Sequence, residues 1–255
     1  MPYLTSYKAC VFCFEGLHST IWRKEQFPPY KENRKAAKED PNYKWVGPIL
    51  ETVKKFLSLF HCKILEVENA EGDDSIYQTC KYYAEQGEQV RIISSDKDLS
   101  QIMNFYPEMV SQYNPIRQEY VERNENILLE KALVGDASDN IKAFKGIGPK
   151  TFKKMLEDKD FYNKKMTSEN LKMLDTVMSI VDLRKYPEKY QLAIKKELEE
   201  PWNVFQPTEI EKFLLDNKLK TCYNDWTTTW QPDILAQNFE HPVDAMDEIE
   251  AILNS

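Results

Sequence analysis

The sequence predicts an α/β protein: a mainly parallel sheet flanked by helices on both faces, followed by a helical C-terminal part. Three observations carry this expectation. Short, nearly continuous apolar runs alternate with segments of helical periodicity in the first half of the 255 residues, the pattern of strands buried on both faces and joined by crossover helices. Acids follow each run, at Glu15, at Glu71/Asp73/Asp74 and at Asp96/Asp98. After residue 123 the apolar positions recur at helical spacing.

Ala9 to Phe14 (ACVFCF) is the first expected strand, ending at Glu15-Gly16. Leu17 to Asn42 reads as a long irregular connection, because Pro28-Pro29 breaks any helix there. Loops of that length in compact domains tend to be functional. From Val46 to Phe60 the residues Val46, Ile49, Leu50, Val53, Phe56, Leu57 and Phe60 predict an amphipathic helix. Lys63 to Val67 is a second strand, with a helix from the following acids through Ile76, Cys80 and Tyr83 to Gly87. Val90 to Ile93 is a third, running into Ser94-Ser-Asp96-Lys-Asp98 and a short helix. Met109 to Tyr113 and Gln118 to Arg123 read as short strands. Helices are expected at about Asn126 to Val134, after the Gly146-Ile-Gly148-Pro149 turn, and at Ser168 to Val181, Pro187 to Glu199, Pro207 to Asn217 and about Asp244 to Leu253. No internal repeat or low-complexity tract is present.

Composition narrows the class. No run of about 18 apolar residues and no charged-then-apolar leader occurs, so neither a membrane span nor a secretory signal is expected. Five cysteines in apolar patterns (Cys10, Cys13, Cys62, Cys80, Cys222) read as reduced core thiols of a cytoplasmic protein. Cys10 and Cys13 have CxxC spacing, but no second Cys/His pair completes a zinc site. A net charge of −8 argues against indiscriminate coating of DNA. Local clusters say more. Between Trp22 and Lys38 six bases face two acids, and between Lys142 and Lys154 five lysines face none. Either run could be a solvated surface.

In open α/β sheets ligands bind beyond the carboxyl ends of strands, and three strand ends here deliver acids to one edge. Each acid alone could be a helix N-cap or first-turn residue; for Asp74, with Ser75 and a helix following, that explanation competes evenly. Together, crowded like charges raise one another's pKa values unless cations neutralise them. Hard oxygen ligands without His or Cys select Mg²⁺ or Mn²⁺. Two such ions can serve phosphodiester hydrolysis. The Asp96/Asp98 stretch alone would also suit a haloacid-dehalogenase-type phosphatase. The tie is broken by Gly135 to Leu156, where Asp136 and Asp139 precede a glycine turn and the lysines Lys150, Lys153 and Lys154. Carboxylates want a divalent cation, while amides at a helix start followed by lysines want a phosphate.

Five stretches in this order resemble the structure-specific 5′ nucleases, the phage and bacterial 5′–3′ exonucleases and flap endonucleases with a PIN-like domain: WRKEQFPPYKENRK (Trp22 to Lys35), EGDD (Glu71 to Asp74), SSDKDLSQI (Ser94 to Ile102), GDASDNI (Gly135 to Ile141) and GIGPKT (Gly146 to Thr151). The resemblance covers roughly Val11 to Leu156. It implies a nuclease domain over 1–123 with an arch region at about 17–45, then a helix-3-turn-helix DNA-binding subdomain and helical region over 124–255. Glu71, Asp73, Asp74 and Asp96 would hold the catalytic metal region, with Asp98, Asp136 and Asp139 in or near a second metal site and Glu15 as a further ligand. Tyr30, Lys31 and Arg34 would engage the scissile phosphate and terminal nucleotide, Lys31 and Arg34 acting with Asp73 and Asp96 in catalysis. Arg23 would be another phosphate contact. Gly146, Gly148, Lys150, Thr151, Lys153 and Lys154 would hold the duplex backbone, with a K⁺ ion in the turn. Implied cofactors are two Mg²⁺ or Mn²⁺ ions. Implied partners are branched or 5′-ended DNA, RNA–DNA hybrids, and a single-strand-binding protein or sliding clamp, with the chain itself a monomer.

Two departures accompany the resemblance. Glu15 stands where the family usually has Asp, one methylene shorter. The family also begins with a strand ending in aspartate, whereas Met1 to Tyr7 contains neither strand nor Asp. Either the reading frame extends upstream or the protein exists without that strand and ligand. In the second case a DNA-structure-binding protein with impaired catalysis is the competing expectation.

Overall fold

The computed structural model describes residues 9–230, without the side chains of residues 35–38, 229 and 230. The expected helix at Asp244 to Leu253 and the question of a strand ahead of Ala9 lie outside the described residues. Among the described residues the strands are β1 (Val11–Cys13), β2 (Lys63–Leu65), β3 (Val90–Ile93), β4 (Val110–Asn114) and β5 (Glu119–Tyr120). The helices are α1 (Ile21–Gln26), α2 (Val46–Leu57), α3 (Gly72–Ala84), α4 (Ser100–Phe105), α5 (Ile127–Val134), α6 (Pro149–Glu157), α7 (Lys159–Lys165), α8 (Ser168–Val181), α9 (Glu188–Glu199), α10 (Pro207–Asp216) and α11 (Lys220–Asp225).

The expected single sheet is divided. Among the described residues β1 pairs only with β2, and β3, β4 and β5 form a separate ladder. The first pair runs parallel, since Lys63 N–H donates to Cys10 O at 3.0 Å and, further along both strands, Phe14 N–H donates to Leu65 O at 2.7 Å. β3 and β4 are parallel with Val90 opposite Val110, and β5 closes antiparallel with Tyr113 opposite Tyr120. The two parallel pairings match the βαβ expectation, and the single antiparallel edge is a frequent addition to parallel sheets.

The connection expected to be irregular holds the short helix α1, anchored by the buried side chains of Trp22 and Arg23. Its periodicity is too brief to register in an eleven-residue window. After it, residues Glu32–Glu39 wind as a 3₁₀ helix.

The backbone packs as two units. One comprises residues 9–12, Trp45–Ile64 and 201–230. Its core is Ile210, Leu214 and Trp226, with Phe56, Leu59, Phe60 and Phe205 packed against them. The Phe60 and Trp226 rings meet edge to face at 5.9 Å, the favoured aromatic arrangement. The other unit comprises Cys13–Lys44 and Leu65–Glu200, so the expected boundary at residue 123 falls inside it. Tyr77, Cys80, Ile92, Leu99, Ile102, Val110 and Leu183 form one core there, joining α3, α4, β3 and β4. Ala132, Leu133, Ile141, Phe144, Ile147, Phe152, Val177 and Ile180 form another, joining α5, α6 and α8. All five cysteines are free thiols, and burial pushes Cys10 up to about 11. Among the described residues no helix is long and apolar enough to cross a membrane.

Among the glycines of the second unit, Gly16 leaves the least room for a side chain. A Cβ on it would lie 1.8 Å from the Val67 carbonyl oxygen. Its N–H donates to Ala70 O at 3.0 Å, and Asn69 N–H donates to Leu17 O at 2.7 Å. The loop after β1 is thereby laced to the loop that leads into α3, whose first residues carry the acids. A side chain here forces the two backbones apart. Gly16→Ala is expected to destabilise the fold by about 3 kcal/mol or more, the upper range of overpacking; urea unfolding of the variant and parent measures it.

Candidate metal and phosphate site

The acids sit where strands end and helices begin. Glu71 precedes α3, and its N–H donates to Asp74 Oδ2 at 3.0 Å. Asp96 caps the 3₁₀ turn after β3 by accepting from Asp98 N–H at 2.9 Å. Asp136 and Asp139 lie on a loop closed by paired bonds of 2.8 Å between Asp136 and Ile141. Gly135 opens that loop with φ +86°, and a Cβ there would meet Ala143 N at 2.5 Å. Only glycine accepts both conditions.

Around Glu71 and Asp74 the negative charge is matched by buried base. Arg23 is 2% exposed and donates Nη1 to Asp74 Oδ2 at 2.8 Å, Nη2 to Asp74 Oδ1 at 2.6 Å and Nε to Ile180 O at 3.0 Å. Its Nη1 also lies 2.7 Å from Glu71 Oε2, and its guanidinium stacks 4.3 Å from the Trp22 ring centroid. Glu71 Oε2 accepts from the Tyr30 hydroxyl at 2.8 Å and Oε1 from Lys31 Nζ at 2.5 Å. Burial pushes the Glu71 carboxyl up, but Arg23 and Lys31 outweigh it and hold the pKa below its ordinary value.

Three expectations change here. Arg23 has no exposed donor to offer a phosphate. Tyr30 is 4% exposed with its hydroxyl committed to Glu71, so its ring is not open to stack on a nucleotide. Asp74, 0% exposed, serves Arg23 and the start of α3, in line with the helix-cap explanation. A cation at Glu71 would have to replace the bonds from Lys31, Tyr30 or Arg23.

Asp73 and Asp96 differ. Among the described residues neither has an ammonium or guanidinium within salt-bridge distance. Burial, and next the Asp96 charge, push the Asp73 carboxyl up to about 7. Asp98, Asp136 and Asp139 each offer an oxygen within 4.8 Å of the others. Lys131 of α5 reaches all three: Nζ lies 2.5 Å from Asp98 Oδ2, 2.7 Å from Asp139 Oδ2 and 3.0 Å from Asp136 Oδ2. Burial alone would lower the Lys131 pKa, but Asp139 and Asp98 raise it. For Asp98, burial outweighs Lys131 and raises the carboxyl pKa. At Asp136 the Lys131 charge and the Ser138 bonds overcome burial and lower it. Asp98 Oδ1 is buried without a hydrogen-bond partner. Such an orphaned acceptor in an all-oxygen set fits a hard divalent cation. Glu15 is exposed and accepts from Ser19 Oγ at 3.1 Å.

Residues 29–34 are laced onto the Asp136–Asn140 loop. Lys31 N–H donates to Asp139 O at 3.0 Å, Asn33 Nδ2 to Ala137 O at 2.7 Å and Asn140 Nδ2 to Pro29 O at 2.7 Å. Arg34 Nη2 lies 3.3 Å from Asp139 Oδ1 with its side chain 48% exposed. Lys31 holds φ +51°, a left-handed conformation uncommon outside glycine. The sequence reading missed Lys131, Asn33 and Asn140. For Lys131 a signal existed: it is the one base in the apolar helix α5, a few residues before the Asp136/Asp139 pair.

The glycine turn leads into α6 through Gly148 as N-cap and Pro149 at the first helical position, as expected of a helix start. No side chain caps this helix. Ile147, Phe152 and Met155 are buried, while Lys145, Lys150, Lys153 and Lys154 are exposed and Thr151 is half-buried. Gly146 has φ +73°, and its carbonyl accepts from Lys165 Nζ at 3.5 Å.

An α/β fold with acids gathered at strand ends, followed in the chain by a basic helix start, is that of the resolvase-like, PIN-type domains. The family described as "5'-3' exonuclease, N-terminal resolvase-like domain" matches residues 3–132, and this chain belongs to it. The 5'-3' exonuclease of Buchnera aphidicola is 30% identical over 198 residues, covering 72% of this chain and 67% of that one. The ribonuclease H of Enterobacteria phage T4 is 28% identical over 149 residues, covering 54% of this chain and 47% of that one. The chain therefore spans about half the length of the T4 protein, and it matches 18% of the Thermus thermophilus DNA polymerase I. In fold it is similar to the bacteriophage T5 flap endonuclease in a pseudo-enzyme-product complex with DNA and metal ions, with TM-score 0.57 and 19% identity over 76% of this chain and 84% of that one.

The raised Asp73 pKa has a stability consequence. A carboxyl whose folded value exceeds its unfolded value of about 3.9 stabilises the fold fully at low pH and loses that contribution as pH rises towards 7. In chelator, Asp73→Asn is therefore expected to gain about 1–2 kcal/mol over the parent between pH 5 and pH 8, after discounting for solvent screening. Unfolding of both proteins at the two pH values checks the sign.

Proposed function

We propose that this chain is a divalent-metal-dependent 5′ nuclease that hydrolyses phosphodiester bonds at 5′ ends, flaps or RNA–DNA primer junctions during replication. The observation that carries it is the division among the acids: among the described residues Asp73 and Asp96 have no base within salt-bridge distance, while Asp98, Asp136 and Asp139 converge and Asp98 Oδ1 is buried without a hydrogen-bond partner. In this reading Asp73 and Asp96 hold one Mg²⁺ or Mn²⁺, and Asp98, Asp136 and Asp139 a second, with Glu15 at the rim. Such ions, when bound, activate water and stabilise the attacking and leaving oxygens of a phosphodiester.

The chain's own groups position the substrate. Arg34, half exposed, and Lys31, salt-bridged to Glu71 beside the acids, supply charge-assisted donors for the phosphate that is cut. The N-terminus of α6 and Lys150, Lys153 and Lys154 grip the duplex backbone, which positions DNA without reading its sequence. A K⁺ ion at the Gly146–Gly148 turn would share the Gly146 carbonyl with Lys165. Membership of the family, the metal ions and DNA in the T5 relative's complex, and the pairing of acid site with basic helix all support this reading. A single-strand-binding protein or sliding clamp as partner, and a monomeric state, belong to the same proposal.

On a 5′-flap substrate with Mg²⁺, Asp73→Ala and Asp96→Ala are expected to lower kcat by at least about 100-fold, the scale of a lost electrostatic stabiliser. Variants that cleave as fast as the parent would show those carboxylates to be misassigned. Salt-sensitive flap binding by the parent without turnover in Mg²⁺ or Mn²⁺ would instead favour a structure-binding protein.

Replacing Lys150 and Lys153 together by Ala is expected to weaken binding to all duplex sequences about equally. The slope of log affinity against log salt should fall by about 2, one for each phosphate contact. A loss confined to some sequences would contradict backbone gripping.

A further inference from the structure

The two cation positions differ in what the protein has already placed in them. Asp73 feels the charge of Asp96, eased in part by that of Lys31, and among the described residues no base lies within salt-bridge distance of either. The Asp98–Asp136–Asp139 position contains one. Lys131 Nζ lies 2.5–3.0 Å from an oxygen of each, which is where an oxygen-ligated ion drawn to the same three atoms would sit. The side chain is held there by α5, whose neighbouring Ala132 and Leu133 are fully buried, so the ammonium is delivered by a packed element and not by a loose surface arm.

We propose that Lys131 is a built-in cation that holds the Asp98–Asp136–Asp139 position until a divalent ion displaces it, so that the two ions load in a fixed order. This rests on the metal-dependent reading above. An ammonium and a divalent ion cannot share the space between three carboxylates whose ligand atoms lie within 4.8 Å of one another. The first ion meets no such competitor at Asp73 and Asp96. The second must exchange with Lys131, giving up three charge-assisted contacts before it gains its own. Until then the three acids are neutralised in part, which spares the free protein their repulsion. Once expelled, the ammonium becomes a mobile donor beside the acids, and an incoming phosphate is the anion it could meet. Lys131 is thus a positioning residue that sets when the second position opens.

Mn²⁺ binding followed by electron paramagnetic resonance of the free ion tests this without substrate. The parent is expected to show one tight and one weaker class of site. Lys131→Met should leave the first unchanged and tighten the second by about tenfold or more, the scale of a lost charge-assisted competitor. An unchanged or weaker second class, with the first intact, would overturn the role of Lys131 and leave the metal reading standing. Absence of Mn²⁺ binding in the parent would overturn both. Because the variant loses a cation among three acids and could fail to fold, amine acylation of the parent gives an independent measurement. Lys131 should label slowly in chelator and about tenfold faster in saturating Mg²⁺, as its contacts are lost. Equal labelling in the two conditions would overturn the displacement.

Discussion

Crowded negative charge is the condition that the structure is built to satisfy. Seven carboxylates, Glu71, Asp73, Asp74, Asp96, Asp98, Asp136 and Asp139, belong to one electrostatic neighbourhood and are met by four bases, Arg23, Lys31, Arg34 and Lys131. The bases are not spread evenly. Arg23 is spent on Asp74 and Glu71 in the interior, where an unpaired charge would cost several kcal/mol. That pair joins α1, the start of α3 and, through the Ile180 carbonyl, the end of α8. Because those acids are neutralised inside the protein, the surplus is concentrated at Asp73 and Asp96. The unfavourable charge is thereby confined to the residues best placed to use an ion.

Much of the fold could be read from periodicity. β3 and α8 have the ends that their apolar patterns predict, and α3, α5, α9 and α10 differ from expectation by a few residues at their termini. Short elements escaped because their signals are weak. The six residues of α1 derive their stability from Trp22 and Arg23 packing inward, a tertiary effect that local pattern does not report. The division of the strands into two ladders was likewise invisible, since pairing partners are not written in any one strand.

The acids of the site were legible as a set and not individually. Spacing identifies Asp73 and Asp74 as neighbours at a helix start, yet the helix turns one towards Arg23 and leaves the other beside Asp96. Basic residues were harder to sort. Arg23 and Arg34 lie in the same charged stretch, but one is 2% exposed and the other has its side chain 48% exposed. Arg23 is set apart by its inward packing in α1 and its bonds to Asp74 and Ile180, and Arg34 by the docking of residues 29–34 against the Asp136–Asn140 loop through Asn33 and Asn140. Amides of that kind carry no charge pattern and pass unnoticed in a sequence.

Asp139 has a wider role than that of one acid among several. Its backbone carbonyl receives Lys31, and its carboxylate meets Arg34, Lys31 and Lys131. Two populations of cation, one from residues 29–34 and one from α5, thus draw on a single charge. Thermodynamic linkage makes the draw reciprocal. Any anion that engages Lys31 or Arg34 releases negative potential at Asp139 and strengthens its hold on a cation opposite; any cation settling there loosens its grip on those two side chains by the same free energy. Occupancy on one side of this carboxylate is thus linked to occupancy on the other.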